Sequence, residues 1–295
     1  MIEKSFFQCL NCNSNNFVVS EKEWVCKNCG HQYPLVHSIP ILIRFWKDHE
    51  VEMEAARQHN PNWYCETQPA EQQSPWKHHL KKRREYIEQT ILQYLNDRKI
   101  LKVPTLLDLG CGDGNNLTFL QKYTEDLFGS DYNLTRLIRA QQKVPLARLF
   151  LSDILDYPVQ ENFFDIIFFN HVLEHIPADN EALNSVFRIL KPGGLLVLGV
   201  PNEGALWWQL AYDLEPLSRK TTDHVHFYTE QTISEKLVNN RFKILGTEYL
   251  GWSVPHWTLD QKLRKYKIFD DGFELIGRRT IPNQASSLYI LATKE

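Results

Sequence analysis

Two pairs of cysteines stand near the start of the chain. Cys9-x2-Cys12 and Cys26-x2-Cys29 are thirteen residues apart, a spacing at which four thiolates close a tetrahedral zinc site. Four protein ligands leave no position for water, so a zinc held this way is structural. Asn13, Asn28 or Gly30 would allow the tight turn that each knuckle needs. The segment 1–45 is too short to build a sufficient core alone, so the metal would supply folding energy.

A second concentration of chemistry is LLDLGCGDGNN, residues 106–116. Gly110, Gly112 and Gly114 make GxGxG, and Asn115 stands where the dinucleotide fingerprint needs its last glycine. Glycines let a ligand approach the backbone closely. A pyrophosphate wants a helix N-terminus free of carboxylates. Here Asp108 and Asp113 lie in the loop, which suits a ligand bearing cationic groups. Asp131, in LFGSDYN, ends the next apolar run and can accept both hydroxyls of a ribose. Asp153, in LSDIL, ends the third. It can accept from an adenine amino group, with Ile154 packed on the ring, or it can serve as a helix N-cap.

Two histidine pairs could supply a general base near neutral pH. His171 and His175 are four apart and share a face on a helical turn. His224 and His226 are two apart and point the same way in an extended segment. Asp223 could orient one of the latter through its other ring nitrogen. His224 and His226 are preferred over His175 as the base, although hydrogen-bonded structural histidines account for each pair equally well.

These residues need a frame. TLLDLG, DLFGSD, RLFLSD, FDIIFFN and GLLVLGV are short apolar runs, several separated by helical stretches, with KPGG breaking the chain before the last. That alternation argues for a parallel sheet with helices on both faces, and it gathers the acidic run ends at the carboxyl edge, where such sheets bind ligands. FKILGTEYLG and SSLYILATK suit an antiparallel edge. A helix is expected from about Pro75 to Asp97, with Ile87, Ile91, Leu95 and Tyr94 on its apolar stripe and the basic run KHHLKKRR at 77–84. Leu206, Trp207, Leu210, Ala211 and Leu214 form another stripe at helical spacing, either packed on the sheet or serving as a lid. Thr229 is a candidate N-cap for the helix that follows.

DLGCGDG, SDY, SDI, FDIIFFNHVLEHI and LKPGGLLVLGVPN, in this order, resemble the motifs of class I S-adenosylmethionine (SAM)-dependent methyltransferases over about 105–250. HVLEHI (171–176) is similar to the small-molecule branch of that superfamily. The resemblance implies a Rossmann-like methyltransferase fold, a doubly wound and mostly parallel seven-stranded α/β sheet. It implies SAM held by Asp108, Gly110, Gly112, Gly114, Asp131, Tyr132, Asp153, Ile154, Asn170 and His171. His171 and His175 would shape the cofactor site more than the acceptor chemistry. Methyltransferases of exocyclic base amines carry Asn or Asp, two prolines and an aromatic after the fourth strand. This chain has Asn170-His171-Val172-Leu173 there. Cys111, in the glycine loop, is misplaced for a cytosine-carbon nucleophile and reads as a small buried side chain. YPLVHSIPILI after the cysteines resembles the zinc-binding activators of tRNA and release-factor methyltransferases. A zinc module ahead of a methyltransferase also resembles the large-subunit rRNA guanine methyltransferases.

The expected organisation is a zinc ribbon at 1–45, a helical connector at 46–100 and a methyltransferase domain at 101–295, with lid insertions near 202–228 and 251–286. The composition is that of a globular protein, 43% hydrophobic and 23% charged over 295 residues. A net charge of −3 provides no global field for nucleic acid. No apolar run reaches the length of a membrane span, no signal peptide opens the chain, and a cytoplasmic location is expected. The expected reaction is methyl transfer from SAM to a small-molecule acceptor, at a hydroxyl of a sugar, glycan or natural-product intermediate. Two alternatives stand beside it. One is an RNA methyltransferase gripping rRNA or tRNA with the ribbon and the basic helix. The other is a non-catalytic SAM-fold module that binds a partner.

Overall fold

The computed structural model describes residues 6–60, 65–69 and 71–295. Residues 1–5 of the expected ribbon, and 61–64 and 70 of the expected connector, lie outside them. Eleven strands are present among the described residues: β1 (Phe17–Val19), β2 (Glu23–Cys26), β3 (Gln32–Val36), β4 (Ile39–Leu42), β5 (Val103–Leu109), β6 (Thr124–Asp131), β7 (Arg148–Ser152), β8 (Phe164–Asn170), β9 (Leu190–Pro201), β10 (Phe242–Leu250) and β11 (Ser287–Lys294). The chain divides into two compact units. The first comprises 1–68, 100–168 and 184–194, the second 69–99, 169–183 and 195–295.

In the first unit the strand order is β1-β2-β3-β4-β7-β6-β5-β8-β9. The expected count of seven strands is exceeded because the cysteine-bearing segment does not stop short of the sheet. β1 to β4 form an antiparallel run, and β4 then pairs in parallel with β7, Ile41 opposite Leu151 and Leu42 opposite Ser152. His37 and Ser38 join β3 to β4 with φ of 51° and 64°, the handedness a two-residue hairpin requires. β5, β6 and β7 run parallel. Their interiors are almost wholly apolar and buried, as strands covered on both faces must be. Phe6 and Phe7 enter the same core. Phe6 lies 4.7 Å from the ring of Phe128 on β6, and Phe7 lies 5.2 Å from Phe150 on β7.

In the second unit the carboxyl ends of β8 and β9 are followed by β11 and β10. β10 and β11 are antiparallel, as their late position suggested, with an irregularity between Ile244 and Gly246. The sheet is therefore mixed. Lys191 to Gly194 lie within β9 rather than ahead of it, with Gly193 accommodating a φ of 71°. The helix Lys77–Asp97 buries Ile87, Ile91 and Leu95, the stripe its periodicity foretold. Its basic side is internally engaged. Lys82 meets Asp270, Asp271 and Glu274 at 2.7–2.9 Å, Arg84 pairs with Glu71, and His79 is buried.

The stripe at 206–214 divides in the structure. Helix Leu206–Leu214 turns Ala211 and Tyr212 inward, whereas Leu206 is 81% exposed and Leu210 and Leu214 are exposed as well. Trp207 explains the difference, because its indole N–H donates to Ser253 O and fixes that side of the helix inward.

Candidate functional site

β5 delivers Asp108 to the glycine loop. Gly110, Gly112 and Gly114 all take left-handed φ, 74°, 52° and 77°. Gly114 tolerates no side chain, since a Cβ there would meet Ala140 Cβ at 2.9 Å. Gly112 N–H donates to Asp131 Oδ2 at 2.8 Å and Asn133 N–H to Oδ1 at 2.8 Å. Asp131 thus pins the loop to the end of β6 and keeps lone pairs free on both oxygens. Asp108 is 1% exposed and its Oδ2 has no hydrogen-bond partner. Burial, reinforced by the neighbouring Asp131 charge, pushes its carboxyl well above the usual range.

Asp113 has a different part. It accepts from Gln68 N–H at 2.8 Å and lies 3.5 Å from Arg139, so it holds the Gln68 backbone against the glycine loop rather than presenting a free charge. The Gln68 amide also approaches Gly112. Asp153 caps the short turn Ile154–Asp156 by accepting from Leu155 N–H at 2.8 Å. Ile154 is half-buried beside it. Tyr132 donates to Glu52 at 2.7 Å, and His49 packs edge-on to its ring with Nε2 2.9 Å from its carbonyl. Gln68, Glu52 and His49 escaped the sequence reading, as nothing local marks a side chain that arrives from a distant helix or loop.

The histidines belong to the second unit. Asn170 ends β8 and accepts from Tyr289 O–H at 2.8 Å and Arg83 at 3.4 Å. His171 holds a left-handed φ of 54° and donates its backbone N–H to Gly199 O. Burial lowers the His171 imidazole to about 4. His171 and His175 flank the buried carboxylate of Glu174, at 3.4 Å and 3.9 Å, across a short 3-10 turn (Leu173–His175) rather than an α-helix. Burial opposes protonation of His175, but Asp223 at 3.3 Å and Glu174 outweigh it and raise its pKa.

His224 and His226 diverge. His224 Nδ1 lies 2.9 Å from Glu203 Oε2, and the His224 ring stacks edge-on at 4.7 Å from His175. Glu203 is buried and also accepts from Tyr212 O–H at 2.8 Å. His226 Nε2 instead faces the Ile176 carbonyl at 3.0 Å and Asp179 at 3.6 Å. Asp223 orients His175, not its neighbours in sequence. Glu203 was not anticipated; its only signal is a carboxylate placed directly after an apolar strand.

Cys9, Cys12, Cys26 and Cys29 place one sulfur each within 4.8 Å of all the others. Asn13 (φ 58°) and Gly30 (φ 74°) make the knuckle turns, donating N–H to Cys9 O and Cys26 O; Asn28 does not. Tyr33 O–H donates to Cys9 Sγ at 3.4 Å. Burial raises the Cys9 thiol to about 11, whereas hydrogen bonds from Asn11 and the His31 backbone lower Cys29 to about 6. The donor set, four soft sulfurs on two tight turns, fits zinc.

Among the described residues, no helix is long and apolar enough to cross a membrane. Residues 107–198 match the methyltransferase domain family. The chain is similar to a trans-aconitate 2-methyltransferase of Variovorax paradoxus, 33% identical over 99 residues, 33% of this chain and 38% of that protein. It is similar also to a ubiquinone biosynthesis O-methyltransferase of Psychrobacter cryohalolentis, 27% identical over 169 residues, 52% of this chain and 65% of that protein. The matches thus span well under two thirds of the first relative and just under two thirds of the second. In fold it resembles the PH0226 protein of Pyrococcus horikoshii OT3, with a TM-score of 0.53 and 16% identity, over 82% of this chain and 99% of that one. The stretch that carries Asp108, the three loop glycines, Asp131 and Asp153 accordingly lies within the match to the methyltransferase domain family, in an α/β fold like that of the PH0226 protein.

Proposed function

We propose that this chain is a SAM-dependent methyltransferase that methylates a hydroxyl of a small molecule such as a sugar, a glycan or a natural-product intermediate. The observation that carries the reading is Asp131, anchored by two backbone N–H groups at the end of β6 beside a loop of three left-handed glycines. A carboxylate so placed accepts from a ribose, and the glycines admit the rest of the ligand against the backbone. Asp108, buried without a partner for Oδ2, suits the α-ammonium, and Asp153 with Ile154 suits the adenine. Tyr132 completes the cofactor set in this unit. SAM supplies an already activated methyl group.

The chain's own contribution is then positioning, desolvation and removal of a proton. With Nδ1–H donated to Glu203, His224 keeps a lone pair on Nε2; His175 lies beside it, with Asp223 3.3 Å from its Nδ1. During methyl transfer to the acceptor oxygen, this imidazole would take the hydroxyl proton and pass it to solvent. His226, facing backbone carbonyls, serves the segment's structure. One zinc at Cys9, Cys12, Cys26 and Cys29 stabilises the N-terminal segment without taking part in the chemistry.

Calorimetry tests the cofactor site. Asp131→Ala should weaken SAM binding by about 1–3 kcal/mol through loss of charge-assisted bonds, and Gly112→Val by at least as much; unchanged affinity in both would sink the assignment. Isotopically labelled SAM incubated with protein and a metabolite extract should yield a labelled small molecule in the mass spectrum, and label appearing only in RNA would replace this acceptor class.

A further inference from the structure

We infer that Glu174, His175 and His224 form a binding site for one divalent transition-metal cation, distinct from the four-cysteine site. One donor atom from each of the three lies within 4.8 Å of the other two, so a small contraction of the side chains closes them around an ion with bonds of about 2.0–2.2 Å. Glu174 is 1% exposed and neither of its carboxylate oxygens has a hydrogen-bond partner. A buried carboxylate left in that condition is costly unless something positive reaches it. His171 and His175 come only to 3.4 Å and 3.9 Å of it.

The surroundings are those of ligating histidines. A metal-bound imidazole commonly gives its other N–H to a carboxylate, which fixes the ring and raises its basicity. His224 meets this condition, and His175 has a carboxylate close to its other nitrogen without a hydrogen bond to it. His175 Nδ1 lies 3.3 Å from Asp223, and His224 Nδ1 lies 2.9 Å from Glu203, itself held by Tyr212. For His224 this leaves Nε2 as the ligand atom, and His175 Nε2 is the nitrogen that faces Glu174, at 3.9 Å. Three carboxylates gather on two imidazoles, and a divalent cation would offset the surplus negative charge. Two imidazoles and one carboxylate select Zn2+, Co2+, Mn2+ or Fe2+ over Ca2+ and Mg2+, and they leave coordination positions open.

The open positions define a substrate class. On the methyl-transfer reading, on which this part rests, an acceptor with oxygen donors fills them, and the ion lowers the pKa of the hydroxyl to be methylated. The imidazoles then act as ligands and the ion takes over the activation assigned to them above. The metal site itself stands without that reading.

The full-length chain, its cysteines first loaded with one equivalent of zinc, is titrated with Co2+ alone and followed by equilibrium dialysis and visible absorption. One further Co2+ per chain should bind, with weak d–d bands and none of the intense charge transfer of cysteine ligands. Glu174→Gln and His224→Ala should each lower its affinity by at least about tenfold, and Glu203→Gln by about ten- to a hundredfold. The unsubstituted protein provides a readout free of any folding defect: the Nδ1 protons of His175 and His224 should appear as paramagnetically shifted proton resonances. No second equivalent, equal uptake by Glu174→Gln, or unshifted imidazole resonances would overturn the site. Co2+ uptake by a chain that methylates nothing would overturn the methyltransferase reading alone, and methylation without a second metal would overturn the site alone.

Discussion

Asp108 is a carboxylate that the fold treats as an acid. Burial and the nearby Asp131 charge raise its pKa well above the value of about 3.9 for an exposed aspartate. A raised folded-state pKa contributes stability fully below the unfolded value and loses it as pH rises through the folded one. Cofactor-free protein therefore keeps this proton to a higher pH than an exposed Asp would. A cation docking at Oδ2 reverses the balance and expels the proton. We expect SAM affinity to rise with pH through the range where Asp108 titrates in the free protein, with proton release on binding. Calorimetry in buffers of different ionisation heat should give different apparent enthalpies in that range, and the difference should vanish in Asp108→Asn. Identical heats in all buffers would show that Asp108 is already ionised or does not meet the ligand.

Among the elements, helix Glu230–Asn239 shows how far local chemistry carries. Thr229 was its expected N-cap and is: its Oγ1 accepts from Thr232 N–H, while Thr232 Oγ1 accepts from Thr229 N–H at 2.9 Å. Thr229→Ala should cost about 1 kcal/mol, a fall of about 2–4 °C in Tm, with Thr229→Ser near wild type; equal melting of the two variants would refute the cap. Signals of this kind, written within four or five residues, were legible in the sequence. So were the parallel strands with their acidic ends, the stripe on Lys77–Asp97 and the knuckle turns at Asn13 and Gly30. Pairings between distant segments were not. Glu203 and His224 are 21 residues apart, and neither their spacing nor their types announces the contact. The two-residue rule for His224 and His226 failed because the segment there bends around the Glu174 carbonyl, which accepts from both Val225 and His226. The leucine face of Leu206–Leu214 misled in another way. Periodicity finds the apolar stripe of a helix, but two tryptophans and a tyrosine compete for the inside.

At the scale of the molecule, the N-terminal segment is knitted into the first compact unit. Its last strand, β4, extends the parallel sheet beside β7. Its first described residues add two more ties, Gln8 N–H to Pro158 O and Gln160 N–H to Phe6 O. Phe7 is the hinge of this arrangement, 1% exposed, 4.9 Å from Trp24 on β2 and 5.2 Å from Phe150 on β7. A core of this kind melts as one body, because neither partner keeps its packing when the other leaves. Phe7→Ala should therefore cost about 3–5 kcal/mol, and the loss should fall on both structures at once. Zinc release to a colorimetric chelator and loss of far-ultraviolet ellipticity, followed on the same samples during heating, should share a midpoint in the unsubstituted protein and shift down together in the variant. Zinc lost well below the melting of the sheet, with the sheet untouched by Phe7→Ala, would mean that the cysteine segment folds by itself, and that the aromatic contacts between them stabilise neither.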